Sequence, residues 1–300
     1  MVFRDRVVHE VPKTKNLVFE GSLRNMEVFT TMLKAVRGLE SLLVIGKADE
    51  LVLRLCDSST SQVEQVIKKE SFVNFSITKD TSAPELGKDE LMTFSCKTSE
   101  LLTLLTMLDN SGNYLFDIRY EGWGEDITFA VGDEKVALTT TLRTTDPSSF
   151  GRVAFDPISG ETNTLVMRSE VIGEVIRWMD YCVDRFESFK LDVKVSEKPS
   201  IVFLVKAERE AYSFEFDNDT SMFERFEVTK AARGVFSYTV FKKSFRLLKR
   251  SKLCELRIDK NGVMLLKFLL SLELSPADDD VYISFYCQSV FGSESSDEDA

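Results

Sequence analysis

Four cations recur at helical spacing near the C-terminal end of this chain. Lys242, Arg246, Lys249 and Arg250 fall on one face of Phe236-Ser-Tyr-Thr-Val-Phe-Lys-Lys-Ser-Phe-Arg-Leu-Leu-Lys-Arg-Ser-Lys252, and no carboxylate interrupts them in sequence. Phe241, Phe245 and Leu248 recur at i, i+4 and i+7 on another face. A helix with one apolar and one cationic side suits a surface that meets phosphate. A solvated amphipathic helix is the plain alternative, but the chain carries a formal net charge of -11, so this basic run opposes its background. The expected molecule is polarised, with one face reserved for an anion.

Other chemistry is scarce. Glu215, Asp217 and Asp219 alternate along an extended stretch and so share a face, the arrangement with which carboxylates hold Mg²⁺ for phosphodiester cleavage. A solvated strand edge or turn is the ordinary reading of that triplet. An EF-hand is excluded, because Met222 stands where the loop glycine belongs and Val228 where the closing glutamate belongs. The single histidine, His9, lies in a polar N-terminal arm, which leaves no histidine-rich metal site and a poor basis for a Ser-His-Asp or Cys-His arrangement. Gly46-Lys47 lacks the preceding glycine and the following Ser/Thr of a P-loop, and Glu121-Gly-Trp-Gly124 is a turn between strands rather than a dinucleotide fingerprint. No metal, no cofactor and no catalytic residue are expected.

The elements that position the basic helix follow from periodicity. The chain of 300 residues is 43% hydrophobic and 29% charged, with 23 Phe, many in alternating runs that favour sheet. No apolar run approaches the roughly 20 residues of a membrane-spanning helix, and the charged N-terminus lacks the apolar core of a signal peptide. The scattered cysteines (Cys56, Cys96, Cys182, Cys254, Cys287) have no Cys-x-x-Cys pairing and read as small buried thiols of a reducing compartment.

A strand over 16–23 leads into a helix over 24–36, striped by Met26, Phe29, Leu33 and Val36. Strands follow at 41–45, 51–56, 62–69 and 72–78, the third edge-like because it is polar, then a loop over 80–89. A strand at 91–97 feeds a second helix, 98–108, and three strands follow at 114–120, 126–131 and 135–143. After the Pro- and Gly-bearing stretch 144–161 the order starts again. A strand at 163–168 runs into a helix at 169–182, with strands at 188–195, 200–207, 211–216 and 223–228. A strand at 235–240 runs into the basic helix, and strands at 252–259, 263–274 and 281–288 precede an acidic end. Phe94-Ser95 and Phe236-Ser237, each ahead of a helix, are the clearest echo between the halves. A duplicated unit of this kind puts four helices on one side of a curved β layer, whereas two unrelated α+β domains are the alternative. The expected division is 1–144, a connector 145–161, 162–290, and an acidic tail 291–300.

The Tyr120-Glu-Gly-Trp-Gly124 turn, Asp217-Asn-Asp-Thr-Ser-Met-Phe-Glu-Arg-Phe226, the Phe236–Leu248 strand-helix and the ending Val281-Tyr-Ile-Ser-Phe-Tyr-Cys287 with its acidic tail, taken in order, resemble one family. It is the Rad-one-type subunit of the 9-1-1 DNA-damage checkpoint clamp, a relative of the replication clamp PCNA. The resemblance runs from about Leu17 to Cys287 and rests on order, length and ending rather than on one motif. It implies an α+β fold of two tandem PCNA-like clamp domains, each with two helices on the concave side of a curved antiparallel sheet. It further implies a non-enzymatic subunit of a nuclear heterotrimeric ring around double-stranded DNA, acting in damage signalling and repair without reading sequence. Partners would be two other clamp subunits, an ATP-dependent clamp loader, and repair and checkpoint client proteins. A 3'-5' DNA exonuclease and a homotrimeric replication processivity clamp are the alternatives.

By that resemblance the DNA-facing residues are Lys242, Lys243, Arg246, Lys249 and Arg250, with Arg24, Lys34, Arg37 and Arg177 diluted by Glu27 and Glu174. The second helix departs from the pattern, since its polar face is Ser99, Thr103 and Thr106 with Lys97 nearby. Subunit edges would be Val136, Leu138, Thr140 and Leu142 on one side and Tyr212, Phe214 and Phe216 on the other. Phe150, Val153, Phe155 and Ile158 of the connector would serve clients or bury one another. Ser293, Ser295 and Ser296 among acidic neighbours read as a phosphorylatable tail.

Overall fold

The computed structural model describes residues 17–24, 26–36, 38–58, 61–108, 115–132, 137–147, 162–182, 188–195, 198–206, 210–217, 222–248, 250–259, 261–270 and 281–289. The first half runs β1 (Phe19–Leu23), α1 (Glu27–Ala35), β2 (Ser41–Lys47), β3 (Glu50–Ser58), β4 (Ser61–Lys68), β5 (Phe72–Ile77), β6 (Met92–Lys97), α2 (Thr98–Leu108), β7 (Leu115–Tyr120), β8 (Ile127–Gly132) and β9 (Ala137–Leu142). The second runs β10 (Asn163–Arg168), α3 (Ser169–Cys182), β11 (Ser188–Lys194), β12 (Ser200–Lys206), β13 (Ala211–Phe216), β14 (Phe223–Glu227), β15 (Ala232–Ser237), α4 (Tyr238–Lys243), α5 (Phe245–Leu248), β16 (Ser251–Ile258), β17 (Val263–Leu270) and β18 (Val281–Gln288).

Every strand pairing among the described residues is antiparallel, and the sheet orders expose the repeat. The first half supplies β5-β1-β7-β8-β9 and β4-β3-β2-β6, and the second supplies β14-β10-β16-β17-β18 and β13-β12-β11-β15. Each strand of one half has a counterpart at the same place in the other: β9 matches β18, and β4 matches β13. Among the described residues only β18 and β4 pair across the halves, Ile283 opposite Gln65 and Phe285 opposite Val63, which fuses two of these sheets into one of nine strands. The polarity of β4 therefore does not mark an edge. Val63 and Ile67 point into the core, while Glu64 on the other face is held by Arg54 at 2.9 Å. The Phe-Ser echo is likewise out of register: Lys97 and Ser237 each end the strand before a helix, so Phe94 stands two residues out of step with Phe236.

Phenylalanines fill the layer between helices and sheets. Phe29 meets Phe116 and Phe129 in the first half, and Phe189 meets Phe203, Phe236 and Phe241 in the second, all almost fully buried. Each such ring contributes about 1.5–3 kcal/mol of burial. The Gly122–Gly124 turn between β7 and β8 needs both glycines, at φ 135° and 82°. Cys96, Cys254 and Cys287 are buried, and burial pushes the thiol of Cys96 up to about 12. No helix among the described residues is long and apolar enough to cross a membrane.

Candidate nucleic-acid interface and sheet edges

The basic segment is helical from Tyr238, three residues before the periodicity predicts, and it breaks at Ser244 into α4 and α5. Tyr238 is the cause of the early start. Its ring is buried, and its hydroxyl donates to Asp180 Oδ1 (2.5 Å) and Ile176 O (3.4 Å) of α3. Ser244 is fully buried, and its hydroxyl bonds back to Phe241 O at 2.6 Å, a local alternative to continuing the helix.

The cations of this segment are not all equally available to a ligand. Lys242 is exposed, but its Nζ donates to Asp180 Oδ1 at 2.6 Å and lies 5.7 Å from the Tyr238 ring. Burial pushes the Asp180 carboxyl up, and the hydrogen bonds from Lys242 and Tyr238 with the lysine's charge outweigh it, so it sits below the usual aspartate range. Arg246 reaches across the halves to Ala35 O of α1 at 3.4 Å. Arg250 does the same, with Nη1 3.3 Å from Thr31 Oγ1 and 3.4 Å from Glu27 Oε1. Thr31, Lys34, Ala35, Arg246, Leu247 and Arg250 line a cleft between α1 and α5. Lys243 is half-buried, and Arg24 is exposed just ahead of α1 rather than inside it. Arg177 on α3 pairs with Glu174 at 2.5 Å. Lys249 and Arg37 lie outside the described residues.

β9 and β13 are the outermost strands of their sheets. Leu138, Thr140 and Leu142 share the inward face of β9, where Leu138 is 48% exposed, Thr140 half-buried and Leu142 buried. On β13 Tyr212 is 36% exposed, Phe214 half-buried and Phe216 buried. Val136, Phe150, Val153, Phe155 and Ile158 lie outside the described residues. Sequence periodicity misses two large exposed apolar side chains near these ends, Met107 (68%) on α2 and Tyr181 (92%) on α3. It also misses Asp180, which neutralises Lys242 from 62 residues away. The stripe analysis could have flagged Met107, which is not among the buried Leu101, Leu104, Leu105 and Leu108 of α2.

The carboxylate triplet is described only in part. Glu215 accepts a hydrogen bond from Ser200 at 2.6 Å, Asp219 is outside the described residues, and no group of three His, Cys, Asp or Glu among the described residues could hold a metal ion.

Paired four- and five-stranded antiparallel sheets, repeated twice with helices on one face, define the sliding-clamp fold. Over 92% of this chain and the whole of the other, the structure matches proliferating cellular nuclear antigen from Entamoeba histolytica, with a TM-score of 0.66 at 11% identity. The family model for the repair proteins Rad1/Rec1/Rad17 matches residues 18–270, and the chain belongs to that family. A comparison with individual curated sequences finds no significant match.

Proposed function

We propose that this chain is one subunit of a heterotrimeric ring that encircles duplex DNA in the nucleus and displays repair and checkpoint clients after damage. The observation that carries this reading is the β18–β4 pairing. It joins the two halves head to tail and leaves their counterparts, β9 and β13, uncovered at opposite ends. A head-to-tail contact that repeats and closes makes a ring, and an uncovered strand edge is a hazard unless a partner pairs with it. Transferred to those ends, the β18–β4 register sets Leu138 opposite the neighbour's counterpart of Phe214, and Tyr212 opposite the neighbour's counterpart of Thr140.

The division we propose is a first domain over 1–144, a connector over 145–161 that serves clients through Phe150, Val153, Phe155 and Ile158, and a second domain over 162–290. Cations of α1, α3, α4 and α5 would face the phosphates, which needs no base contact. The chain acts as a scaffold rather than an enzyme, and loading falls to a separate ATP-driven partner. The test is topological. The assembled complex, loaded on a nicked circle, stays bound through a high-salt wash and slides off once the circle is cut. Equal loss from circular and linear DNA excludes encirclement.

A further inference from the structure

The burial pattern of the helices repeats between the two halves. Phe29, Met32, Leu33 and Val36 of the first half and Ile172, Val175, Ile176 and Met179 of the second are buried with identical spacing. Glu27, Thr31 and Ala35 of α1 therefore correspond to Glu170, Glu174 and Trp178 of α3. Along the other pair of helices, buried Thr98, Leu101, Leu104 and Leu108 match Tyr238, Phe241, Ser244 and Leu248, the last of them half-buried. Thr106 then stands where α5 has Arg246.

At the junction inside the chain, the outer flank of α1 receives arginines. Glu27 and Thr31 take Arg250, and the Ala35 carbonyl takes Arg246. Among the described residues no helix packs on the equivalent flank of α3, which is better equipped for cations. Glu170 and Glu174 supply two exposed carboxylates, one of them sharing Arg177. Trp178 presents an indole braced on Phe214 of β13, with ring centroids 5.5 Å apart, and Tyr181 beside it is 92% exposed. Carboxylates beside an aromatic face are a guanidinium-binding chemistry. A second copy of this chain would bring Thr106 to that flank, and it supplies no charge.

We infer that the outer flank of α3, through Glu170, Glu174 and Trp178, docks the second helix of a different clamp-fold chain, one carrying arginine or lysine where this chain has Thr106. This rests on the ring reading above and adds to it the chemistry that chooses the neighbour. It makes self-association at this end a mismatch and sets the order of subunits by charge.

The full-length tagged chain is captured from its source cells, and the co-purifying clamp-fold chains are identified by peptide sequencing, purified and titrated pairwise. One of them carries a cation at the helix position of Thr106. It binds the Glu170→Arg/Glu174→Arg variant about tenfold more weakly than wild type, with the loss shrinking as salt rises. The other chain binds both forms alike, and the variant melts within a few degrees of wild type. If neither neighbour carries that cation, or if the variant binds both chains as wild type does or loses both equally, the inference fails while the ring reading stands. If the wild-type chain recovers no clamp-fold partner, the ring reading itself fails.

Discussion

Lys242 Nζ lies 2.6 Å from Asp180 Oδ1, so the first cation of the basic stripe on α4 is already shared with a carboxylate of α3. In an exposed pair of this kind the attraction is small, but the carboxylate lowers the charge that the helical face offers to phosphate. Asp180→Asn keeps an acceptor for Tyr238 and removes the competing charge. The expected outcome is tighter retention of duplex DNA and a log K against log [salt] slope steeper by up to about one. Lys242→Gln moves both quantities the other way. Titration over roughly 50–200 mM salt checks this, and an unchanged slope in both variants removes Lys242 from the DNA-facing set.

The same cluster sets a pH signature at both ends of the scale. Asp180 is held below its ordinary range, so its contribution to stability is present above the unfolded aspartate value and is lost as pH falls through the lower folded one. Tyr238 is pushed the opposite way, by burial first and by its bond to Asp180 second. Its contribution is full below the ordinary tyrosine value and is lost as pH rises through the higher folded one. Melting temperatures of wild type and Asp180→Asn should converge in acid, and Tyr238→Phe should flatten the alkaline limb. Parallel curves at every pH would contradict both assignments.

Gly234 in β15 is required for space rather than for backbone freedom. A Cβ built there stands 2.5 Å from Cζ of Phe236, a ring that is fully buried against Phe189. The ring has nowhere to move without disturbing Phe189 and its neighbours, so Gly234→Ala should cost about 1–3 kcal/mol by overpacking. Urea unfolding measures the loss, and Gly234→Ala with Phe236→Leu should recover part of it because the double change restores volume. Failure of the double variant to recover would place the strain in the backbone instead.

Local pattern carried far in this chain. Thr98–Leu108, Ser169–Cys182, Asn163–Arg168, Ala211–Phe216 and Val281–Gln288 form as their periodicity and flanking turns dictate. The departures share one cause, a partner distant in sequence. Ser237 through Val240 has the β-branched and aromatic character of a strand, yet Tyr238 turns helical because α3 offers its hydroxyl Asp180 and a backbone carbonyl. The polar β4 reads as an edge until β18, more than 200 residues on, pairs with it. The cation stripe was legible; Asp180 and Glu27, which temper it from α3 and α1, were not, because nothing in local spacing announces them.

Leu247 and Met107 occupy equivalent places in the two halves and have opposite surroundings. Leu247 is 1% exposed in the cleft between α5 and α1, and Met107 is 68% exposed on α2, with no helix beyond it among the described residues. Truncating the first leaves a cavity at the junction of the halves, so Leu247→Ala should cost about 2–5 kcal/mol. Truncating the second removes nothing packed within the subunit, and Met107→Ala should stay within about 0.5 kcal/mol in urea unfolding of the isolated chain. In the assembled complex the order changes. If Met107 takes the role of Leu247 against a neighbour's helix, Met107→Asp weakens association with the subunit at the β9 end while the monomer melts as wild type. Association by the Met107→Asp chain as tight as wild type would mean that α2 stays open to solvent in the ring and that β9 alone makes that contact.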